Sequence, residues 1–501
     1  MNSITNSSGK HTVEKIGGTS MSRFNEVMTN ILVGNRHGNE LYNRIFVVSA
    51  YGGVTDALLE HKKSGKAGVF SLYSNSESEW SWSDMLSEVC YRMCSINAQM
   101  FPDHFTCQIA DQFVKDRVEG VRSCLIDLQR ICSYGHFQVE DQLATVREML
   151  SAIGEAHSAH NTTLLLQQHD VNATFVDLTG WREIENPTFE ERIQQSFAKV
   201  DVEKELPIVT GYTRCREGLM KTFDRGYSEI TFSKIAIVTG AAEAIIHKEY
   251  HLSSADPKIV GEDKVMPIGR TNYDVSDQLA NLGMEAIHPS AAKGLRQQGI
   301  PLRVKNTFEP EHAGTLIDSE YKSQTPGVEI IAGRKHVFAV EFHEQDMIGA
   351  IRYDKQLLDI LDRFRVNFIG KDVNANTITH YLDASLKSVK RVCSTLEEIF
   401  PSANILTHRV SIVSVIGSDM KIPGILHKAV GALTDKSINI LAMHQTMRQV
   451  EMEFIIDQEN YERAIISLHR CLIEGSSSLP VNPRLSPVSS PEEDISCALQ
   501  S

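Results

Sequence analysis

The chain has no basic surplus. Its 501 residues carry 50 Lys and Arg against 64 Asp and Glu, a formal charge of −14. A nucleic-acid binder ordinarily presents a basic face, so that class is set aside. An anionic substrate would have to be held by local Lys and Arg, because the overall field repels it. Long apolar runs are also missing. None approaches the ~18 residues of a membrane span, so no membrane partner is expected. Residues 1–11 are polar, with no apolar signal-peptide core, and a cytoplasmic location is expected. The 9 Cys include no C-x-x-C pair. Cys90 and Cys94 stand four apart on an expected helix without metal-site partners, so the cysteines read as reduced thiols and no protein metal site is expected. The Walker A spacing G-x-x-x-x-G-K is absent as well.

What is present is an ordinary globular composition, 42% apolar and 23% charged, in a chain long enough for about two to four domains. Residues 13–16 predict a short strand, broken by Gly17 and Gly18. Ser20 and Ser22 offer caps for a helix in which Phe24, Val27, Met28, Ile31 and Leu32 recur at helical spacing. Residues 44–50 are a compact apolar run, as in a buried parallel strand. Strand–helix alternation of this kind predicts an α/β fold with helices on the faces of a sheet. Residues 61–170 are helical in pattern, with a polar loop near 74–83. Short strands return at 173–177 and 207–211, and an α/β stretch continues to 316.

Residues 318–335 have few periodic apolar positions and read as a linker. Beyond it two segments share a plan, one starting at 337–340 and the other at 410–415. The second predicts a strand, a helix over 424–435, strands over 438–442 and 450–456, and a closing helix over 461–472. That βαββα order suits a small ferredoxin-like module, and the two segments read as an imperfect repeat. The Ser- and Pro-rich tail, 476–501, is expected to be disordered.

The chemistry is expected first at Val13-Glu14-Lys15-Ile16-Gly17-Gly18-Thr19-Ser20. Glycines between a strand and a helix let backbone N–H groups close around an anion, and a strand-end Lys adds a point charge. A tight structural turn would carry the same residues. A second turn, Ser49-Ala50-Tyr51-Gly52-Gly53-Val54-Thr55-Asp56, follows the next strand. Two such turns after adjacent strands would meet at the carboxyl edge of the sheet, where open α/β folds bind ligands.

These two runs resemble the start of the aspartokinases, in the amino-acid-kinase superfamily, whose pattern is K-F-G-G-T-S and then V-V-S-A with a later T. The resemblance continues at Ser151-Ala152-Ile153-Gly154-Glu155, similar to the family's S-x-G-E. It runs on through Thr210-Gly211-Tyr212, Asp224-Arg225-Gly226-Tyr227-Ser228-Glu229, Ala255-Asp256-Pro257-Lys258, Ile287-His288-Pro289 and Leu302-Arg303-Val304-Lys305-Asn306-Thr307. It covers about residues 12–475. What it implies is an amino-acid-kinase three-layer αβα catalytic domain over 12–317, the linker 318–335, and two ferredoxin-like ACT modules over 336–405 and 408–475. It implies that ATP and L-aspartate give ADP and 4-phospho-L-aspartate, with Mg²⁺. A homodimer or homotetramer with an amino-acid effector at an ACT interface is also implied; the turn Gly417-Ser418-Asp419-Met420 is the candidate for part of that pocket.

By the resemblance, Lys15 would neutralise the transferred phosphoryl group and Gly17 and Gly18 would bring backbone donors to the phosphates. Thr19, Ser20, Lys248, Asp256 and Lys258 complete the expected nucleotide side. Glu155 would bind the substrate's α-ammonium and Arg225 its α-carboxylate, a planar match that Lys could not copy. Ser49 and Glu229 join them on the substrate side. Read without the resemblance, Glu155 could be a solvated helix acid and Arg225 a surface ion-pair partner, while Asp256-Pro257 reads as a structural turn next to the nucleotide site. Departures from the family exist. G-R-G-G-S-D has become Asp224-Arg225-Gly226-Tyr227-Ser228-Glu229. Ile246-His247-Lys248-Glu249 stands where W-T-D is usual. A family Lys facing phosphate is replaced by Glu285, a loss that Lys248 is expected to offset. The run 223–231 is similar to the branch encoded with ectoine biosynthesis. The rival readings are a kinase for another carboxylate or phosphate, and a catalytically inactive amino-acid sensor of the same fold.

Overall fold

The computed structural model describes residues 10–61, 64–75, 80–223, 226–284, 286–348 and 352–475. Asp224, Arg225, Glu285 and the tail 476–501 lie outside them. The first sheet has eight strands: β1 (Thr12–Ile16), β2 (Arg44–Val48), β3 (Ala173–Val176), β4 (Leu206–Thr210), β5 (Glu243–Lys248), β6 (Arg270–Asn272), β7 (Leu302–Asn306) and β8 (Thr315–Asp318). Their order is β3-β4-β2-β1-β5-β7-β8-β6. Pairing is parallel throughout except between β7 and β8. β1 is central, with Ile16 opposite Val48 on one side and His247 on the other. Every residue of β2 is buried. A strand closed on both faces needs helices above and below it, hence the three-layer αβα form.

The region 61–170 is helical as expected, with long helices Ser81–Met100, His104–Cys132 and Leu143–Gln168. Residues Ser151 to Ala159 of the last are buried without interruption, so this helix runs through the interior. The serine caps expected at Ser20 and Ser22 are not used. The first helix, Gly18–Met21, begins at Gly17 with no side-chain cap. Ser20 is fully buried, and its hydroxyl donates to Glu249 Oε1 at 3.0 Å and lies 3.2 Å from Thr307 Oγ1.

The second sheet has six antiparallel strands: β9 (Ile330–His343), β10 (Phe368–Val373), β11 (Thr377–Leu382), β12 (Asn404–Ile416), β13 (Ile440–Gln445) and β14 (Glu451–Asp457), in the order β10-β11-β9-β12-β14-β13. β9 and β12 pair along their whole length, from Asn404 opposite His343 to Ile416 opposite Ile330. The far half of β9 and the near half of β12 complete one ferredoxin-like module; their other halves complete the second. Each module therefore has an outer strand supplied from beyond its expected boundary. The linker 318–335 is corrected accordingly: residues 330–335 are the start of β9. Gly333, Arg334 and Lys335 interrupt the apolar alternation there; β12 pairs with this stretch, the Ile331 N–H donates to the Ser254 carbonyl at 2.8 Å, and the Gly333 carbonyl accepts the Tyr461 hydroxyl at 2.9 Å.

The two sheets are joined by packing. Val275 and Leu279 of the helix Tyr273–Asn281 share a core with Ile330, Ala332, Ile412, Ile416 and Ile455. Ala255 and Val260 pack with Leu468 and Leu472 of the closing helix Tyr461–Leu472. The turn offered as part of an effector pocket is held from within the chain. Ser418 donates its N–H, at 3.0 Å, and its hydroxyl to Glu329 Oε1, while Thr271 of β6 donates to Glu329 Oε2 at 3.0 Å.

Candidate active site

The turns after β1 and β2 press together. A Cβ on Gly18 would stand 2.4 Å from the Ala50 carbonyl oxygen, so only glycine fits. Gly17 is extended backbone at φ −72° and forms the N-cap. The Ser22 hydroxyl accepts the Gly52 N–H at 2.8 Å and donates to the Gly18 carbonyl at 3.2 Å, tying one turn to the other. Gly53, at φ +76°, opens the helix Val54–Leu58 in a conformation that side chains resist. A cavity of about 340 Å³ lies between the turns, lined by Lys15, Gly18, Thr19, Ser49, Glu155, Tyr227, Ser228 and Glu229.

Lys15 projects from β1 and is buried. Its ammonium is 3.6 Å from Glu229 Oε1, and the same oxygen is 3.4 Å from Lys248 Nζ. The other Glu229 oxygen accepts the His288 N–H at 2.5 Å, which is the local task of Ile287-His288-Pro289. Burial pushes the Glu229 carboxyl up, but Lys15 and Lys248 outweigh it and hold it below the usual range. Burial also pulls the Lys15 ammonium below its usual range, against the attraction of Glu229. Glu229, expected on the substrate side, thus faces two lysines.

Glu155 is 2% exposed, deep in the helix Leu143–Gln168. The solvated-acid alternative is excluded by that burial. Ser228 Oγ donates to Oε1 at 2.5 Å; Oε2 has no hydrogen-bond partner among the described residues. A Cβ on Gly211 would stand 2.7 Å from that oxygen, so glycine there makes its room. Burial raises the carboxyl to about 8, against the Ser228 hydroxyl, the Lys15 ammonium and the Ala50 N–H. A buried carboxylate with an unmet oxygen beside a cavity is a receptor for a cationic donor.

Lys15, Gly18, Thr19, Ser49, Glu155 and Glu229 therefore come together at one cavity. Lys248 reaches the group through Glu229, and its expected compensation of Glu285 involves a residue outside those described. Asp256 and Lys258 stand apart. The Asp256 carboxylate accepts the Lys258 N–H at 2.9 Å and caps the short helix Pro257–Val260, whose Val260 belongs to the core of the second module. The residues on either side of that turn's cap, Ala255 and Val260, pack against the second module. The Ser20 hydroxyl is engaged by Glu249 and Thr307. Arg225 lies outside the described residues, although Gly226 lines the cavity. Sequence reasoning assigned no role to Ser228, Tyr227 or Gly211. The signal for Ser228 was its survival in the altered 224–229 run.

A largely parallel sheet with paired glycine turns, a buried lysine and an unmet carboxylate defines an α/β ligand site at the carboxyl edge of the strands, built without a Walker loop. Residues 10–306 match the amino acid kinase family, and residues 413–472 match the ACT domain. The chain belongs to the amino acid kinase family and, within it, to the aspartokinases, phosphotransferases with a carboxylate acceptor. It is 55% identical over 464 residues to the aspartate kinase Ask_Ect of Stutzerimonas stutzeri (strain A1501), a likeness covering 93% of this chain and 98% of that protein. Two solved structures show the same fold. E. coli aspartokinase III in complex with lysine and aspartate (T-state) aligns with TM-score 0.69 at 16% identity, covering 92% of this chain and 99% of that one. The same enzyme with aspartate and ADP (R-state) gives 0.68 at 18%, covering 92% and 100%. No described helix is long and apolar enough to cross a membrane.

Proposed function

We propose that the chain transfers the γ-phosphoryl group of ATP to the β-carboxylate of L-aspartate in the Lys15–Glu155 cavity, releasing ADP and 4-phospho-L-aspartate. The observation that carries this reading is the unmet Oε2 of buried Glu155. It suits the α-ammonium of an amino acid, which would supply the missing donor and the missing positive charge. Arg225 would take the α-carboxylate, beside Ser49. The β-carboxylate is already a nucleophile at neutral pH, so no general base is needed. The difficulty is one anion approaching another, and Lys15 with the backbone donors of Gly17, Gly18 and Thr19 offsets it. Glu229 holds Lys15 and Lys248 in register.

Among the described residues no group of three or more His, Cys, Asp or Glu side chains would hold a metal ion. Mg²⁺ would enter carried on the ATP phosphates and neutralise their charge there. The charge pair and cavity are in place, so nothing favours the inactive-sensor reading. We place the product at the head of ectoine synthesis, on the run 223–231 and the 55% likeness; neighbouring reading frames test that. A cytoplasmic setting accords with the free Cys90, Cys94, Cys107, Cys124, Cys132, Cys215, Cys393 and Cys471. The regulatory sheet ends in edge strands β10 and β13, which would pair between copies in a homo-oligomer that binds an amino-acid effector. The test of the activity is hydroxylamine trapping with ATP, Mg²⁺ and a panel of amino acids. Hydroxamate should form with aspartate; none above background from folded protein refutes the reading.

A further inference from the structure

Glu148 lies two turns before Glu155 on the helix Leu143–Gln168, on the same face. It does not line the substrate cavity, yet both of its carboxylate oxygens are engaged, and by one segment. Oε2 accepts the Tyr212 hydroxyl, and Oε1 accepts the Met220 N–H at 2.8 Å. Tyr212 directly follows Gly211, the residue that makes room for Glu155. Met220 belongs to the short helix Leu219–Phe223, shortly before Gly226, Tyr227 and Ser228 of the cavity lining in sequence. Between them Gly218 turns the chain at φ +73°, where a Cβ would stand 3.4 Å from Glu148 Oε1. Glu148 thus pins both ends of one loop to the helix that carries Glu155.

The loop bears on the cavity. The Tyr212 ring, 2% exposed, meets the Tyr227 ring edge-on, with centroids 5.7 Å apart. Tyr227 and Ser228 line the cavity, and the Ser228 hydroxyl holds Glu155. The path closes on itself: Glu148 to Tyr212, Tyr212 against Tyr227, Ser228 back to Glu155. Without the carboxylate, a buried phenol and a backbone N–H would both lose their acceptor, and the wall opposite Glu155 would be free to shift.

We infer that Glu148 is a positioning residue for the amino-acid substrate, setting the spacing between Glu155 and the Tyr227–Ser228 wall. This rests on reading Glu155 as the ammonium anchor. The test measures KM for aspartate and for ATP in Glu148→Ala, Glu148→Gln and Tyr212→Phe, with Glu155→Gln alongside. Glu148→Ala should raise the aspartate KM about tenfold or more, with the ATP KM changed by no more than about twofold. Glu148→Gln retains an acceptor for Met220 and should restore most of the loss. Tyr212→Phe keeps the ring contact and loses one bond, so it should fall between, at about threefold. Equal changes in both KM values, or a lower Tm with neither changed, would make Glu148 merely structural and overturn the inference. An unchanged aspartate KM in Glu155→Gln would instead overturn the cavity reading. Should Glu148→Ala not fold, Tyr212→Phe decides, and a normal aspartate KM there refutes the positioning role.

Discussion

The orphaned carboxylate makes aspartate use depend on pH in a way that ATP use does not. Burial raises Glu155 to about 8, and the groups that face it are Ser228, Lys15 and the Ala50 N–H. In the free enzyme it is therefore mostly protonated at neutral pH, with about a tenth ionised at pH 7 and about a hundredth at pH 6. An α-ammonium needs the ionised form. Binding must then expel a proton, and kcat/KM for aspartate should rise about tenfold per pH unit from 6 toward 8 and level off above it. The substrate ammonium keeps its proton across this range. Glu155→Gln should flatten the profile. It should also cost about 1.5–3 kcal/mol above pH 8, the worth of a hydrogen bond to a charged group. Near pH 6 the variant and the parent should converge, because the parent carboxyl is neutral there too. The assay is coupled ADP release at varied aspartate and saturating ATP, in overlapping buffers from pH 6 to 9. A flat parent profile below pH 8, or a Glu155→Gln profile with the same slope, would refute the reasoning.

Lys15→Ala should lower kcat by about two orders of magnitude, since its charge matters most as the phosphoryl group is transferred; near-normal kcat in folded protein would make Lys15 peripheral. Gly211→Ala puts a methyl group 2.7 Å from Glu155 Oε2, so aspartate KM should rise far more than ATP KM, and an equal rise in both would place Glu155 elsewhere. Burial, and then the neighbouring Glu453, hold the Glu451 carboxyl protonated well above the usual carboxylate range. The folded chain thus keeps a proton that the unfolded chain gives up, and this group's contribution to stability falls as pH rises, by at most about 1.4 kcal/mol per unit. Glu451→Gln should remove that part of the slope in Tm between pH 5.5 and 8; parallel slopes would show that Glu451 titrates normally.

Local pattern was enough for the parts of this protein that depend on neighbours in the chain. The glycine turns at Gly17-Gly18 and Gly52-Gly53, the helices of 61–170 and the closing helix over 461–472 follow from turn chemistry and periodicity, which act over a few residues. The order of motifs from Lys15 to Thr307 was enough for the family. Tertiary structure decided the rest, because those features depend on what lies across the fold. Residues 330–335 join β9 beside β12, and a linker-like composition does not reveal a distant partner. Ser20 reads as a cap until Glu249 and Thr307 are brought to its hydroxyl. Asp256 and Lys258 stand in a motif with the nucleotide residues, and only the fold shows that their neighbours Ala255 and Val260 pack into the core of the second module. Glu155 in sequence is one acid on a helix. Burial, Ser228 from another helix and the space left by Gly211 make it a raised, half-satisfied carboxylate, since desolvation is set by everything packed around a group and not by the residues next to it.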